Sequence, residues 1–531
     1  MIYTSERTDF KLEIPDVSIT EYALRHADRL ADKPALIDGP SGRTLTYGQL
    51  AGGIKKVAGG LYARGFRKGD VLAIYCPNMP EYALVFNAVA SVGGINTTVN
   101  PLYTAAELAK QLNDSKAKFL VTVPPFLDKA LEAANNSSVE EVFVFGDAEG
   151  ASSFSELLST EQPAPVVAID PKNDLVVLPY SSGTTGLPKG VMLTHHNLVA
   201  NLCQVDGLEE EKRMGEGEII LAMLPFFHIY GMIVVMKLAL AGGATVVSMP
   251  RFDMEEFLGL VQRYKATTLP LVPPVVLGLA KSPLVDQFDL SSVKTIFCGA
   301  APLGRELSME TSQRIGCPVT QGYGMTEASP VTHLSSMDPE KSREGAIGKV
   351  IPDTEVRLVD VKSGKDCAQG EDGELWIRGP QIMRGYLNQP EETAECIDTE
   401  GWYHTGDVGY VDEDGFFFIV DRVKELIKYK AMQVSPAELE ALLVTHPEIL
   451  DTAVIPCPDE EAGEIPKAIV VLKDPASASD ELAEKIMAFV ADNVAPHKRV
   501  RLLDFAEQIP KSASGKILRR VLVEAERSRS T

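Results

Sequence analysis

The sequence predicts an α/β protein that ends in a smaller α+β domain. Three observations carry this. Short apolar, β-branched runs alternate with helix-like stretches through the first 330 residues; this is the pattern of a parallel sheet, whose ligands bind at the carboxyl ends of strands. From about residue 345 to 420 the helical periodicity fades into short strands broken by Gly, Asp and Pro, as in a β-rich subdomain. After Asp421 strands and helices return over about 110 residues, enough for a compact separate domain. A chain of 531 residues is too long for one core, so roughly two to four domains or subdomains are expected.

The elements follow in chain order. Apolar runs at 119–123, 142–145, 175–178, 219–224, 245–248 and 293–298 read as buried strands, and 21–31, 105–113 and 254–264 as helices between them. Strands are expected at 346–350, 355–359, 374–377 and 416–420. Beyond the boundary, helices are expected at 436–445, 480–493 and 518–528 and strands at 452–455 and 468–472. The expected division is thus 1–421 and 422–531.

Hydrophobic residues make up 45% and charged residues 24% of the chain, which excludes a largely disordered protein. Lys and Arg number 51 against 74 Asp and Glu, a formal charge of −23. Such a surface repels nucleic acid and anionic membranes, so neither is expected as a partner. An anionic ligand needs a local patch of cations and backbone N–H groups. The seven cysteines form no C-x-x-C pair, the usage of a reduced, cytoplasmic protein without a zinc knuckle. No apolar signal segment, bilayer-length apolar run or peroxisomal tripeptide is read.

Four clusters carry chemistry. Ser181-Ser182-Gly183-Thr184-Thr185-Gly186-Leu187-Pro188-Lys189-Gly190 follows an apolar run. Its glycines let backbone N–H groups turn towards phosphate oxygens, and its four hydroxyls and one ammonium add donors. It lacks Walker A spacing, and a plain turn does not need so many donors. Gln321-Gly322-Tyr323-Gly324-Met325-Thr326-Glu327 offers a flat aromatic, a hydroxyl and a carboxylate, useful for a base, a phosphate and Mg²⁺. A strand-end turn is the plainer reading. Tyr403-His404-Thr405-Gly406-Asp407, with Asp421-Arg422 further on, could clamp a ribose or form a surface salt bridge. Pro510-Lys511-Ser512-Ala513-Ser514-Gly515-Lys516 alone would be a solvated tail.

In this order, the four clusters resemble the adenylate-forming superfamily of acyl-CoA synthetases, adenylation domains and luciferases, most closely its 4-coumarate–CoA ligase branch. The resemblance runs from Thr46-Tyr47 to Lys516. It implies a large N-terminal domain of two αβ subdomains and a β-barrel subdomain, with a small mobile C-terminal domain hinged near residues 421–424. It also implies roles. Ser181, Ser182, Gly183, Thr184, Thr185 and Lys189 would grip the β- and γ-phosphates of ATP. Gly299, Ala300, Ala301 and Pro302, with Tyr323, would form the adenine slot, and Gly324 would also bind the nucleotide. Thr326 would meet the α-phosphate and Glu327 would help hold Mg²⁺. Asp407 and Arg422 would clamp the ribose, and Lys516 would bridge the acyl carboxylate and the α-phosphate. His228 would gate the acid, and Lys430 would serve the second step after the small domain turns. Tyr230, Phe297, Gly322, Ser329, Pro330 and Val331 would line the acid pocket.

The implied activity is ATP-dependent formation of an acyl-adenylate with release of pyrophosphate, then transfer of the acyl group to coenzyme A. One departure bears on the second step. Ala431 follows Lys430 where the acyl-CoA ligases carry glycine, and its methyl group borders the expected pantetheine channel. An amide synthetase that passes the adenylate to an amine or amino acid would tolerate it. A luciferase-like oxygenase and a non-catalytic nucleotide-binding protein are further alternatives; the latter would lack Lys516 or Glu327. Phe297 cannot hydrogen-bond a phenol, so the expected acid is apolar at its far end.

Overall fold

The computed structural model describes residues 1–6, 12–181, 188–207, 214–301, 303–430, 432–459, 461–512 and 515–529. Two large sheets form the N-terminal α/β body. In the first, the strand order is Lys189–Gly190, Leu175–Ser181, Ile95–Thr98, Val71–Tyr75, Ala117–Thr122, Glu141–Val144 and Ser152–Ser153, with Leu193–Thr194 also paired to Leu175–Ser181. Val71–Tyr75 lies inside this sheet with parallel partners on both sides, and all five of its residues are buried. A continuous apolar run is what a doubly covered parallel strand requires.

The second sheet is ordered Lys349–Val350, Val331–Leu334, Val319–Gly324, Thr295–Cys298, Thr268–Leu271, Ile219–Ala222, Thr245–Ser248, Pro34–Asp38 and Thr44–Thr46. Its central strands are parallel and its ends antiparallel. Helices pack between the two sheets into one apolar core that includes Tyr47, Phe86, Phe226 and Phe257. The helix Tyr47–Ala63 starts on a reciprocal cap: the Thr46 hydroxyl accepts from Gln49 N, and the Gln49 side chain accepts from Thr46 N.

A five-stranded antiparallel sheet follows, ordered Tyr3–Thr4, Glu355–Val359, Gly373–Arg378, Tyr403–Val411 and Phe417–Arg422. The chain leaves this sheet at Arg422 and enters another at Ile427. That last sheet contains Ile427–Tyr429, Met432–Val434, Gly463–Leu472, Ile449–Asp459 and Leu502–Phe505, and has its own core around Leu439, Val454, Val470 and Ile486. The protein is therefore α/β, with a large N-terminal part and a small C-terminal domain.

Three local expectations change. The helix expected at 21–31 is only Ile19–Ala23, followed by turns. Leu24 N bonds back to Thr20, whereas Arg25 and Ala27 make three-residue bonds that tighten the chain out of helix. The strand expected at 452–455 is Ile449–Asp459, because it pairs along the length of Gly463–Leu472. The strand expected at 346–350 shrinks to Lys349–Val350. Among the described residues no helix is long and apolar enough to cross a membrane.

Candidate active site

The carboxyl ends of strands from both large sheets converge. Ser181 ends its strand opposite Lys189 in an antiparallel pair, so the two ends of the glycine-rich loop are held together. Ser182, Gly183, Thr184 and Thr185 lie outside the described residues, as do Pro302 and Ala431. The Ser181 hydroxyl donates to Glu327 Oε1 at 2.8 Å, and Tyr386 donates its hydroxyl to the same oxygen at 3.0 Å. Glu327 sits in a short 3-10 turn with Thr326, and both side chains are buried.

The turn holding Thr326 and Glu327 depends on a close backbone approach. A Cβ on Gly324 would lie 2.0 Å from the Pro330 carbonyl oxygen, while Met325 N donates to that oxygen at 3.0 Å. Only glycine fits there. Ser329 next holds φ at +67°, and its hydroxyl donates to the Gln381 carbonyl at 2.8 Å. Ala300 has φ of +71° and Lys430 of +54°. Three non-glycine residues in the left-handed region thus coincide with sequence-identified site positions, where strain is commonly retained.

Asp407 and Arg422 face each other across neighbouring strands. Arg422 Nε donates to Asp407 Oδ1 at 3.1 Å, and the Tyr323 hydroxyl donates to Oδ2 at 2.6 Å. Burial, reinforced by the Asp407 charge, pushes the Tyr323 pKa far up, so the phenol keeps its proton. Asp421 turns away from this clamp: its carboxylate takes the Ser435 hydroxyl and Ala437 N at the start of the helix Pro436–Leu443.

Lys516 is not in a solvated tail. Its loop lies against the large domain, where a Cβ on Gly515 would come 3.3 Å from Val272 Cγ2 and 3.4 Å from Pro274 Cδ. Burial lowers the Lys516 pKa, as does the Arg422 guanidinium, while Asp407, Glu327 and Glu425 pull the other way. The ammonium also acts on His228, whose pKa falls to about 4, chiefly through burial. Tyr230 N donates to His228 Nδ1 at 3.3 Å, so the neutral ring carries its proton on Nε2. Lys516, His228, Asp407, Arg422, Glu327 and Tyr323 therefore share one electrostatic neighbourhood.

The acid-side residues stand next to it. The Tyr230 hydroxyl donates to the Phe297 carbonyl at 3.2 Å, and a Cβ on Gly299 would meet the Tyr230 ring at 3.0 Å. Phe297, Ser329, Pro330 and Val331 are buried, and Gly322 packs beneath Leu334. The Phe297 backbone carbonyl accepts the tyrosine hydrogen bond, and its side chain is purely apolar.

Lys430 is not brought to this cluster. It pairs with Glu461 at 2.8 Å on the exposed face of the small domain. Beside it lies an open groove of about 860 Å³ whose lining includes Met432, Met487, His497, Arg499 and Arg501.

Two contributors carry no sequence signal. Tyr386 lies between Gly385 and Leu387, and Glu392 is one of two adjacent acids in the helix Pro390–Cys396. Lys189 is buried, ion-paired with Glu392, and sits 4.9 Å from the Tyr386 ring centroid. Only the folding of the 383–392 segment onto the body, through Met383 N to Glu327 O and Leu387 N to Gly190 O, creates these contacts.

Glu327 is a single buried carboxylate, and among the described residues no group of three or more His, Cys, Asp or Glu could hold a metal. That donor set fits Mg²⁺, which is commonly held by one or two carboxylates together with substrate phosphates.

The sequence matches the model of the AMP-binding enzyme family over residues 24–387 and that of the AMP-binding enzyme C-terminal domain over residues 438–516. It is 44% identical over 527 residues to 4-coumarate--CoA ligase 2 of Petroselinum crispum, covering 97% of this chain and 96% of the relative. Among solved structures, the anthranilate CoA ligase AuaEII in complex with anthranoyl-AMP superposes with a TM-score of 0.89 at 27% identity, over 99% of this chain and 100% of that one. The amide bond synthetase McbA from Marinactinospora thermotolerans superposes with a TM-score of 0.84 at 27% identity, over 95% and 99%.

Proposed function

The chain belongs to the AMP-binding enzyme family, close to the 4-coumarate–CoA ligases, and on that premise we propose how its residues divide the work of an AMP-forming carboxylic acid–CoA ligase. The enzyme activates an acid with ATP and passes the acyl group to coenzyme A. The observation that carries the reading is the meeting of Lys516, from the small domain, with Asp407, Arg422, Glu327 and His228 of the large one.

In the first step a carboxylate oxygen attacks the α-phosphorus, and the bond to the β-phosphate oxygen breaks. The products are an acyl-adenylate and pyrophosphate. Every reacting group is an anion, so catalysis rests on positioning and charge neutralisation. Ser181 and Lys189 flank the loop we assign to the β- and γ-phosphates. Tyr323 and the Gly299-Ala300-Ala301 turn take the adenine, and Asp407 with Arg422 takes the ribose hydroxyls. Thr326 meets the α-phosphate. Glu327 would hold Mg²⁺, which when bound neutralises phosphate charge. Lys516 bridges the acid and the α-phosphate. Neutral His228 presents an N–H beside the acid and closes its pocket.

In the second step the coenzyme A sulfur attacks the acyl carbon, loses its proton, and AMP departs. Lys430 and the groove lined by Arg499 and Arg501 form the face of the small domain suited to this anionic acceptor. The linker after Arg422, one residue past the boundary expected at 421, is the hinge between the large domain and a mobile one after it. The apolar Phe297 side chain favours an acid without a polar far end: aromatic, alicyclic or medium-chain. The cytoplasm suits the seven cysteines, all of them free thiols.

The test is pyrophosphate release across an acid panel, followed by product analysis with coenzyme A and separately with amino acids. Acid-dependent pyrophosphate with a thioester product is expected. An amide product in the absence of thioester would move the chain to the amide synthetases.

A further inference from the structure

Lys189 has only 4% of its surface exposed. A buried ammonium requires an anionic partner, or it gives up its charge. Its partner here is Glu392, whose side chain is 36% exposed at the start of a surface helix. With its amide turned over to satisfy its neighbours, the Gln389 side-chain nitrogen donates to the same carboxylate at 2.9 Å. On its other side the ammonium is 4.9 Å from the Tyr386 ring centroid, and the Tyr386 hydroxyl donates to Glu327. The lysine is thus held next to the carboxylate assigned to Mg²⁺, by an acid that has a short path to water.

We propose that Glu392 is a positioning residue that acts as an internal substitute for polyphosphate: it holds Lys189 in the nucleotide-free enzyme, yields it to the β- and γ-phosphates of ATP, and recaptures it as pyrophosphate leaves. The inference rests on the assignment of Lys189 to those phosphates. The two anions compete for one ammonium, so the carboxylate weakens polyphosphate binding while keeping the lysine charged and aimed. The half-exposed Glu392 can turn to solvent when displaced, whereas the buried Lys189 has little freedom to follow it. Ligands without β- and γ-phosphates do not enter this competition.

The experiment compares wild type, Glu392→Gln, Glu392→Ala and Lys189→Ala as full chains. Calorimetric binding of ATP, pyrophosphate and AMP is read alongside the KM values of ATP and the acid. Both Glu392 variants should tighten ATP and pyrophosphate about fivefold, about 1 kcal/mol, with AMP affinity and acid KM unchanged. A general structural lesion would move all four. Lys189→Ala should weaken ATP and pyrophosphate. If it does so while the Glu392 variants leave polyphosphate binding unchanged or weaker, the competition is overturned and the phosphate assignment stands. If Lys189→Ala binds ATP like wild type, the assignment and the proposal fall together.

Discussion

The Tyr323 hydroxyl donates to Asp407 at 2.6 Å, which joins the residue assigned to the base and the residue assigned to the ribose into one unit. Arg422 completes it from the opposite strand. The carboxylate orients the tyrosine ring, so removing it should disturb both contacts with the nucleoside.

Asp407→Ala should therefore raise the KM of ATP about 10- to 100-fold, since hydrogen bonds to a charged group contribute roughly 1.5–3 kcal/mol. The KM of the acid should change little. Two-substrate kinetics reads both. A weakened acid KM with an unchanged ATP KM would place the nucleotide elsewhere.

Lys516→Ala should cut the rate of acyl-adenylate formation by about 10²–10³-fold, roughly the 2.7–4 kcal/mol that one well-placed donor contributes to a transition state. The ammonium sits at the seam between domains, so the large-domain fold should survive. Pyrophosphate release and the thermal melt, measured together, check this. A near wild-type rate would remove the lysine from the chemistry.

His195 and His333 are fully buried, and burial lowers their pKa values to about 4 and about 3. In the unfolded chain both titrate near the ordinary value of about 6.5. As pH falls below about 6.5 the unfolded state takes up two protons that the native state refuses. Stability must therefore decrease with falling pH and level off only below about 4 and 3. Each histidine contributes about 1.4 kcal/mol per pH unit inside its window. His333→Asn should remove about one proton from the uptake on unfolding between pH 6 and 4, as measured by melts across that range. An unchanged slope would show that His333 protonates in the native state.

Arg519 donates to Glu425 at 2.8 Å and to Glu440 at 2.9 Å, with both Arg519 and Glu440 only 12% exposed. Burial raises the Glu440 pKa against the pull of the arginine. Arg519→Met leaves that acid unpaired and should destabilise the small domain by about 3–5 kcal/mol. Limited proteolysis should then cut after about residue 430 well before the large domain melts. Adding Glu440→Gln should restore most of the resistance. Equal protease resistance of wild type and Arg519→Met would contradict the pairing.

Sequence reasoning reached the α/β class because runs such as 119–123, 142–145 and 245–248 are uninterrupted apolar strands. It singled out Ser181, Tyr323, Asp407 and Lys516 because glycine-flanked polar clusters stand out against such strands. It missed Tyr386 and Glu392, since a tyrosine after glycine and an acid early in a helix look like ordinary surface. Their contacts exist only through long-range pairing of the 383–392 segment with Gly190 and Glu327. Lys516 read as a tail residue in isolation because the surface its loop packs on, around Val272 and Pro274, belongs to another domain. The short helix Ile19–Ala23 was overextended because a polar–apolar pattern continues through turns in which four-residue and three-residue bonds alternate rather than form a continuous helical ladder.

Arg422 is both half of the clamp and the last residue of its strand. Val423 N is still tied to Gly406 O at 2.8 Å, and the next sheet begins at Ile427. The hinge proposed for the small domain would thus be confined to a few bonds just beyond the residues assigned to the ribose. A turn of that domain would twist the chain downstream of Arg422 and leave its strand pairing with Asp407 intact. The reactive intermediate would then stay moored by its nucleoside while the wall above it is exchanged, so the protein would change which chemistry it performs without releasing what it has made.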